Sequence, residues 1–103
     1  MLMEVVTFKL RDGMTQDELL QKFRDTAPKW RGVEDLVRKS FIYDADAGVG
    51  GGVYMWKTAA AADHWHGDEW RGSIRELYGS DPEVRRYDVA IVVDNELEAV
   101  IET

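Results

Sequence analysis

Three observations predict an α+β chain with the element order β-α-β-β-α-β. β-rich runs and helical repeats alternate in that order along the 103 residues. A short polar and glycine-rich link, too short for a crossover, joins the two middle strands and makes them an antiparallel hairpin. Apolar residues also occupy both faces of those strands, Val53 and Met55 on one side, Tyr54 and Trp56 on the other.

The elements follow in sequence. Val5 to Leu10 is a β-rich run that stops at Arg11-Asp12-Gly13, where glycine supplies a turn. Thr15 and Glu18 have capping-box spacing, and Leu19, Leu20, Phe23 and Ala27 recur at helical intervals until Pro28. Val33 to Tyr43 is expected as a long strand closing on Asp44-Ala45-Asp46-Ala47-Gly48, and Gly51 to Lys57 as its hairpin partner. Thr58 caps the alanine-rich segment to His66, and Gly67 breaks it. From Asp68 onward Trp70, Ile74, Leu77 and Tyr78 share one helix face until Gly79 and Pro82. Val84 to Val93 is expected as the last strand, and residues 96–103 as a C-terminal arm whose Leu97, Val100 and Ile101 need cover.

This is the pattern of a ferredoxin-like fold, one antiparallel sheet with both helices on one face, in a single domain spanning residues 1–103. The helices cover one face only, so a second copy of the chain is the expected cover for the other, and a homodimer is predicted.

Composition bounds the function. Thirteen basic residues against twenty acidic ones give a net charge of −7, which argues against nucleic acid and anionic membranes as partners. No apolar run approaches the roughly 20 residues of a membrane span, and Met1-Leu2-Met3-Glu4 lacks the features of a signal peptide, so the expected location is the cytoplasm. The absence of cysteine removes disulfides, thiolate nucleophiles and thiolate metal sites.

Few residues have the right chemistry for a site. Gly48-Val49-Gly50-Gly51-Gly52 leads into a strand, whereas phosphate loops lead into a helix, so it is read as a hairpin turn or bulge. His64 and His66, two apart on a helix, diverge by about 200° and cannot grip one metal together, although either can carry a proton near neutral pH. The acidic pairs Asp17/Glu18 and Asp68/Glu69 lie at helix starts, where they favour the dipole. Thr7, Arg38 and Ser40 are polar residues inside strands, facing either a cavity or solvent. Tyr54, Trp56, Trp65, Trp70 and Tyr78 read first as core or interface, and as a group they favour an apolar aromatic ligand over a sugar or nucleotide.

Gly51-Gly52-Val53-Tyr54-Met55-Trp56, Leu77-Tyr78-Gly79 and Val92-Val93-Asp94-Asn95, with Gly32-Val33 through Lys39 upstream, resemble the YdhR-like monooxygenase family of the dimeric α+β barrel superfamily. The resemblance implies a homodimer whose sheets face each other, with one ligand cavity per subunit. It also implies oxidation of aromatic polyketide-like molecules without metal or flavin. Set beside the haem-degrading branch of that superfamily, Trp65 falls at the functional tryptophan. Arg75 falls at the iron-ligating histidine, and Thr7 at the strand-one asparagine.

The functional expectation is a cofactor-independent monooxygenase acting on a hydrophobic, aromatic or polyketide-like small molecule. Thr7, Tyr54, Trp56, Trp65 and Trp70 are the expected substrate-binding residues, with His64 as base and Arg38 or Arg75 stabilising the anion. A non-catalytic binder of a hydrophobic metabolite and a cyclase using the same pocket remain the alternatives.

Overall fold

Four antiparallel strands in the order β2-β3-β1-β4 form the sheet of the computed structural model, which describes residues 1–103. The strands are β1 (Leu2–Lys9), β2 (Leu36–Asp44), β3 (Val49–Trp56) and β4 (Glu83–Asp88), with helices α1 (Gln16–Trp30), α2 (Ala59–Trp65) and α3 (Asp68–Tyr78) between them. A separate two-stranded hairpin, β5 (Ile91–Asp94) and β6 (Ala99–Glu102), ends the chain. The α+β ferredoxin-like order is thus present with three helices and six strands.

The capping box at Thr15 and Glu18 forms in both directions, and Thr58 caps α2 through the amide of Ala61. α3 ends in a left-handed Gly79 whose amide donates to the Arg75 carbonyl. Register on β1 sets the faces. Leu2, Glu4, Val6 and Phe8 stand opposite Trp56, Tyr54, Gly52 and Gly50, and this face lies under the helices. The core joins these side chains to Leu19, Phe23 and Trp30 of α1, Ala62 of α2, and Trp70, Ile74 and Tyr78 of α3. Met3, Val5, Val49, Val53 and Met55 face the other way, away from the helices, and are half-buried.

Four expectations are corrected. α1 does not stop at Pro28 but runs to Trp30, because a proline this close to the helix end forfeits only one late hydrogen bond while burial of Trp30 holds the turn. β2 begins at Leu36 rather than Val33, since Asp35 has a positive φ of 67° that ends the preceding turn. The hairpin turn closes at Gly48, and Gly50, Gly51 and Gly52 are paired strand residues of β3 rather than turn or bulge. The last strand is two: past Asp88, β1 offers no further partner, so the chain leaves the sheet and β5 pairs with the C-terminal segment read as an arm.

Candidate functional site

Between α1, α3 and the sheet lies a cavity with about 40 Å³ of free space, walled by Phe8, Phe23, Trp30, Phe41, Tyr54 and Trp70 among others. Its floor exists because β3 carries glycine there. A Cβ on Gly52 would stand 3.1 Å from Tyr54 Cε1 and 3.3 Å from Lys39 Cε, so any side chain at this position would enter the space. Leu77 and Ile74 close the α3 side, while Thr26 and Ser73 point their hydroxyls back to helix carbonyls at Lys22 and Trp70.

One charged group enters this apolar space. Lys39 Nζ lies 3.9 Å from the ring centre of Phe41, 4.4 Å from Trp30 and 4.7 Å from Tyr54, a three-sided aromatic box. Burial, reinforced by the nearby Lys29 ammonium, pushes the Lys39 amine down to about 7. It is therefore a base and an acid within the physiological range. The phenols do not compete: burial raises Tyr54 well above its ordinary value and pushes Tyr78 up to about 12.

Lys39 faces the cavity because of a register shift. Leu36 stands opposite Trp56 but Arg38 stands opposite Met55, so Val37 is an extra residue and the alternation of β2 inverts. Without the bulge Arg38 would point under the helices and Lys39 away from them.

Behind the cavity a fully buried carboxylate organises a second cluster. Glu4 Oε1 accepts the Trp56 indole N–H at 2.7 Å and lies 2.6 Å from His66 Nδ1, an approach short but poorly aligned for a hydrogen bond. Glu4 Oε2 accepts from Arg86 Nε at 2.7 Å, and Arg86 reaches Asp63 with its other arm. Burial alone would raise the Glu4 carboxyl, but His66 and the Arg86 guanidinium outweigh it and hold it below its ordinary value. Burial lowers His66, only partly opposed by Glu4, so the imidazole is neutral at pH 7. The neighbouring carboxylate favours the proton on Nδ1, and Nε2 has no partner. His66 stacks on Trp70 with ring centres 3.9 Å apart, which couples this cluster to the cavity wall.

The predicted residues separate into groups. Tyr54 and Trp70 line the cavity. Trp56 is fully buried behind it on Glu4, and Trp65 packs against Trp30 at 6.0 Å from outside. Thr7 and Arg38 lie on the sheet face opposite the helices, His64 is exposed beside Trp65, and exposed Arg75 is paired with Asp81. The cavity thus brings none of His64, Arg38 and Arg75 together. Sequence reasoning missed Lys39, Trp30, Glu4 and the burial of His66. Glutamate alternating with Leu2, Val6 and Phe8 on one strand face was the available signal for Glu4. For Lys39 no signal existed without the bulge.

Comparison with known proteins finds the same backbone arrangement in several solved structures. An antibiotic biosynthesis monooxygenase matches with 19% identity over 87% of this chain and 99% of that one, TM-score 0.66. A monooxygenase from the gene ActVA-Orf6 of Streptomyces coelicolor, solved with nanaomycin D, matches with 20% identity over 88% and 90%, TM-score 0.64. A MhuD variant holding two manganese protoporphyrin IX molecules per active site matches with 11% identity over 91% and 99%, TM-score 0.69. No protein-family model matches the chain, and no curated protein sequence does. At these identities the likeness is one of fold.

Proposed function

We propose that the chain is a YdhR-like monooxygenase that oxidises an acidic aromatic or polyketide-like molecule without metal or flavin, using the cavity between α1, α3 and the sheet. The observation that carries the reading is Lys39, an amine held near pKa 7 inside an aromatic box. In the neutral form it takes a proton from an activated ring methylene or hydroxyl; as the ammonium it then lies beside the resulting anion. That anion gives an electron to dioxygen, the two radicals combine to a hydroperoxide, and loss of water leaves a carbonyl. In balance, one methylene and one dioxygen become one carbonyl and one water, with all four electrons supplied by the carbon. Trp30, Tyr54 and Trp70 exclude water from the anion.

This reading moves proton transfer from exposed His64 to Lys39, and keeps Tyr54 and Trp70 as the substrate walls. The free space of about 40 Å³ admits dioxygen or water but not a ring, so the flexible Lys39 side chain has to yield when substrate enters.

A cytoplasmic homodimer is part of the proposal. The accessible surface of 6971 Å² exceeds the about 5,900 Å² usual for a monomer of 11.8 kDa, and apolar groups contribute to it: the sheet face turned from the helices and the exposed Ile91, Val93, Leu97 and Val100 of the hairpin. Two copies packed through these sheet faces would bury both.

Oxygen uptake by chelator-treated protein with anthrone as probe tests the activity. Uptake of one dioxygen per quinone, rising to a plateau above about pH 7 and lowered about 100-fold in Lys39→Met, is expected. Uptake unchanged in that variant would remove Lys39 from the reaction, and saturable binding with no uptake would make the protein a binder.

A further inference from the structure

Resting on the reading of this cavity as a ligand site, we infer that its ligand is an aromatic carboxylate, with the ring against Trp30 and Tyr54 and the carboxylate held jointly by Lys39 and Lys29. The cavity lining contains these two lysines and no acidic residue. They arrive from different elements, β2 and α1, and converge on one indole: Lys39 Nζ is 4.4 Å and Lys29 Nζ 5.2 Å from the Trp30 ring centre. In a chain of net charge −7, neither has a carboxylate within ion-pair distance. Two like charges brought to one ring with no counter-ion are a site waiting for an anion.

The size of that anion follows from the walls. They are aromatic or aliphatic apart from Thr26 and Ser73, whose hydroxyls already bond helix carbonyls, so the rest of the ligand is flat and apolar. Lys39 lies across the glycine floor, its Cε against Gly52. A ring entering over Gly52 displaces the butyl chain toward the mouth, where Lys29 stands, and carries the amine to the carboxylate. Without a ligand the aromatic box holds the amine.

Proton uptake is the signature. The groups that face Lys39 are Lys29 from α1, Tyr54 from β3, Tyr78 from α3, and His66 after α2, with Glu4 and Arg86 behind it. Both phenols are raised and His66 is lowered, so Lys39 is the group in this set that changes charge between about pH 7 and 9. A bound carboxylate restores its ammonium form.

The experiment is calorimetric titration of the wild-type protein with 2-naphthoate and with its neutral isostere 2-naphthamide, in buffers of different ionisation enthalpy. Naphthoate is expected to bind at least about tenfold more tightly than naphthamide and to take up close to one proton per site at about pH 8.5, and almost none at about pH 5.5. Lys39→Met should lose both the preference and the proton; Lys29→Met should weaken binding about three- to fivefold with the proton uptake intact. Equal binding of the two probes, binding of naphthoate without proton uptake, or failure of both to bind overturns the inference. Continued oxygen consumption on anthrone in that event would leave the oxygenase reading standing. Naphthoate binding with its proton, in a protein that consumes no oxygen on any carboxylated hydroxyaromatic, would uphold the inference and end the oxygenase reading instead.

Discussion

Trp56 donates its indole N–H to Glu4 at 2.7 Å across 52 residues of sequence, and the acceptor is a carboxylate with no exposure to solvent at all. The same group holds Arg86 and abuts His66, so both of its oxygens are engaged and the guanidinium matches its charge. Removing it strands the buried indole N–H and takes from Arg86 one of its two carboxylates. Glu4→Ala should cost about 3–5 kcal/mol, and Glu4→Gln, which can still accept from Trp56, about half as much. Urea denaturation measures both; a loss under about 1 kcal/mol for Glu4→Ala would mean the cluster contributes little to stability.

Acid should act on this cluster in two stages. His66 is lowered from its ordinary 6.5, so its contribution is complete above that value and is lost as pH falls through the folded-state pKa. Glu4 is also lowered, so its contribution is complete above 4.5 and lost as pH falls further. Thermal melts between pH 7 and pH 3 should show both declines, and His66→Phe should remove the upper one alone. A flat melting temperature down to pH 4.5 would contradict the assignment.

Lys39 acts in the same direction, but higher on the pH axis. Its folded value of about 7 lies below the ordinary 10.5, so the unfolded chain binds more protons between these limits and stability rises with pH across that window. Below about 7 the ammonium is buried without a counter-ion. Lys39→Met should therefore stabilise the protein by about 1–3 kcal/mol at pH 6, with the gain shrinking as pH rises towards 10. Differential scanning calorimetry of the two proteins tests it, and a destabilised variant at pH 6 would show the three ring faces to outweigh the cost of burial.

Two adjacent glycines should behave differently when changed to alanine. A Cβ on Gly51 would overlap the Val6 carbonyl oxygen, a backbone atom that cannot move without breaking the β1–β3 ladder. Gly51→Ala should cost about 2–4 kcal/mol. Gly52→Ala meets side chains only, Tyr54 and Lys39, which can give by a few tenths of an ångström. It should fold with a loss under about 1.5 kcal/mol while weakening the binding of aromatic probes. Equal effects of the two would contradict the picture of a cavity floored by β3.

The uncovered sheet face predicts concentration-dependent association. Val53→Glu places a charge among Val5, Met3 and Met55 on that face and leaves the helix side untouched. Sedimentation should show a dimer for the wild type and a monomer for the variant; a wild-type monomer at high concentration would sink the dimer.

The fold was readable because its signals are local. Thr15 with Glu18, Thr58, Gly79 and the period of Trp70, Ile74 and Tyr78 each act within a few residues of themselves, and each marks an element that forms. The site was less readable because it depends on parity. Arg38 and Lys39 are neighbours of equal charge, and strand alternation sends one to each face; only the pairing of Leu36 with Trp56 and of Arg38 with Met55 decides which. Trp30 was hidden for another reason, since it lies beyond a proline that the helix tolerates. His66 follows directly from the divergence predicted for the two histidines, but its partner Glu4 is 62 residues away, out of reach of any local rule.

Val37 is thus a selector between two kinds of cation. Were Val37 instead paired opposite Met55, in unbroken register from Leu36, the neighbours would exchange, turning Arg38 towards Trp30 and Tyr54 and Lys39 towards the partnerless face. A guanidinium keeps its charge at every pH a protein survives, so the exchanged pocket would still attract anions but could neither accept a proton from a ligand nor return one. One break of register at the edge of the sheet separates a pocket able to do acid–base chemistry from one that can only hold on.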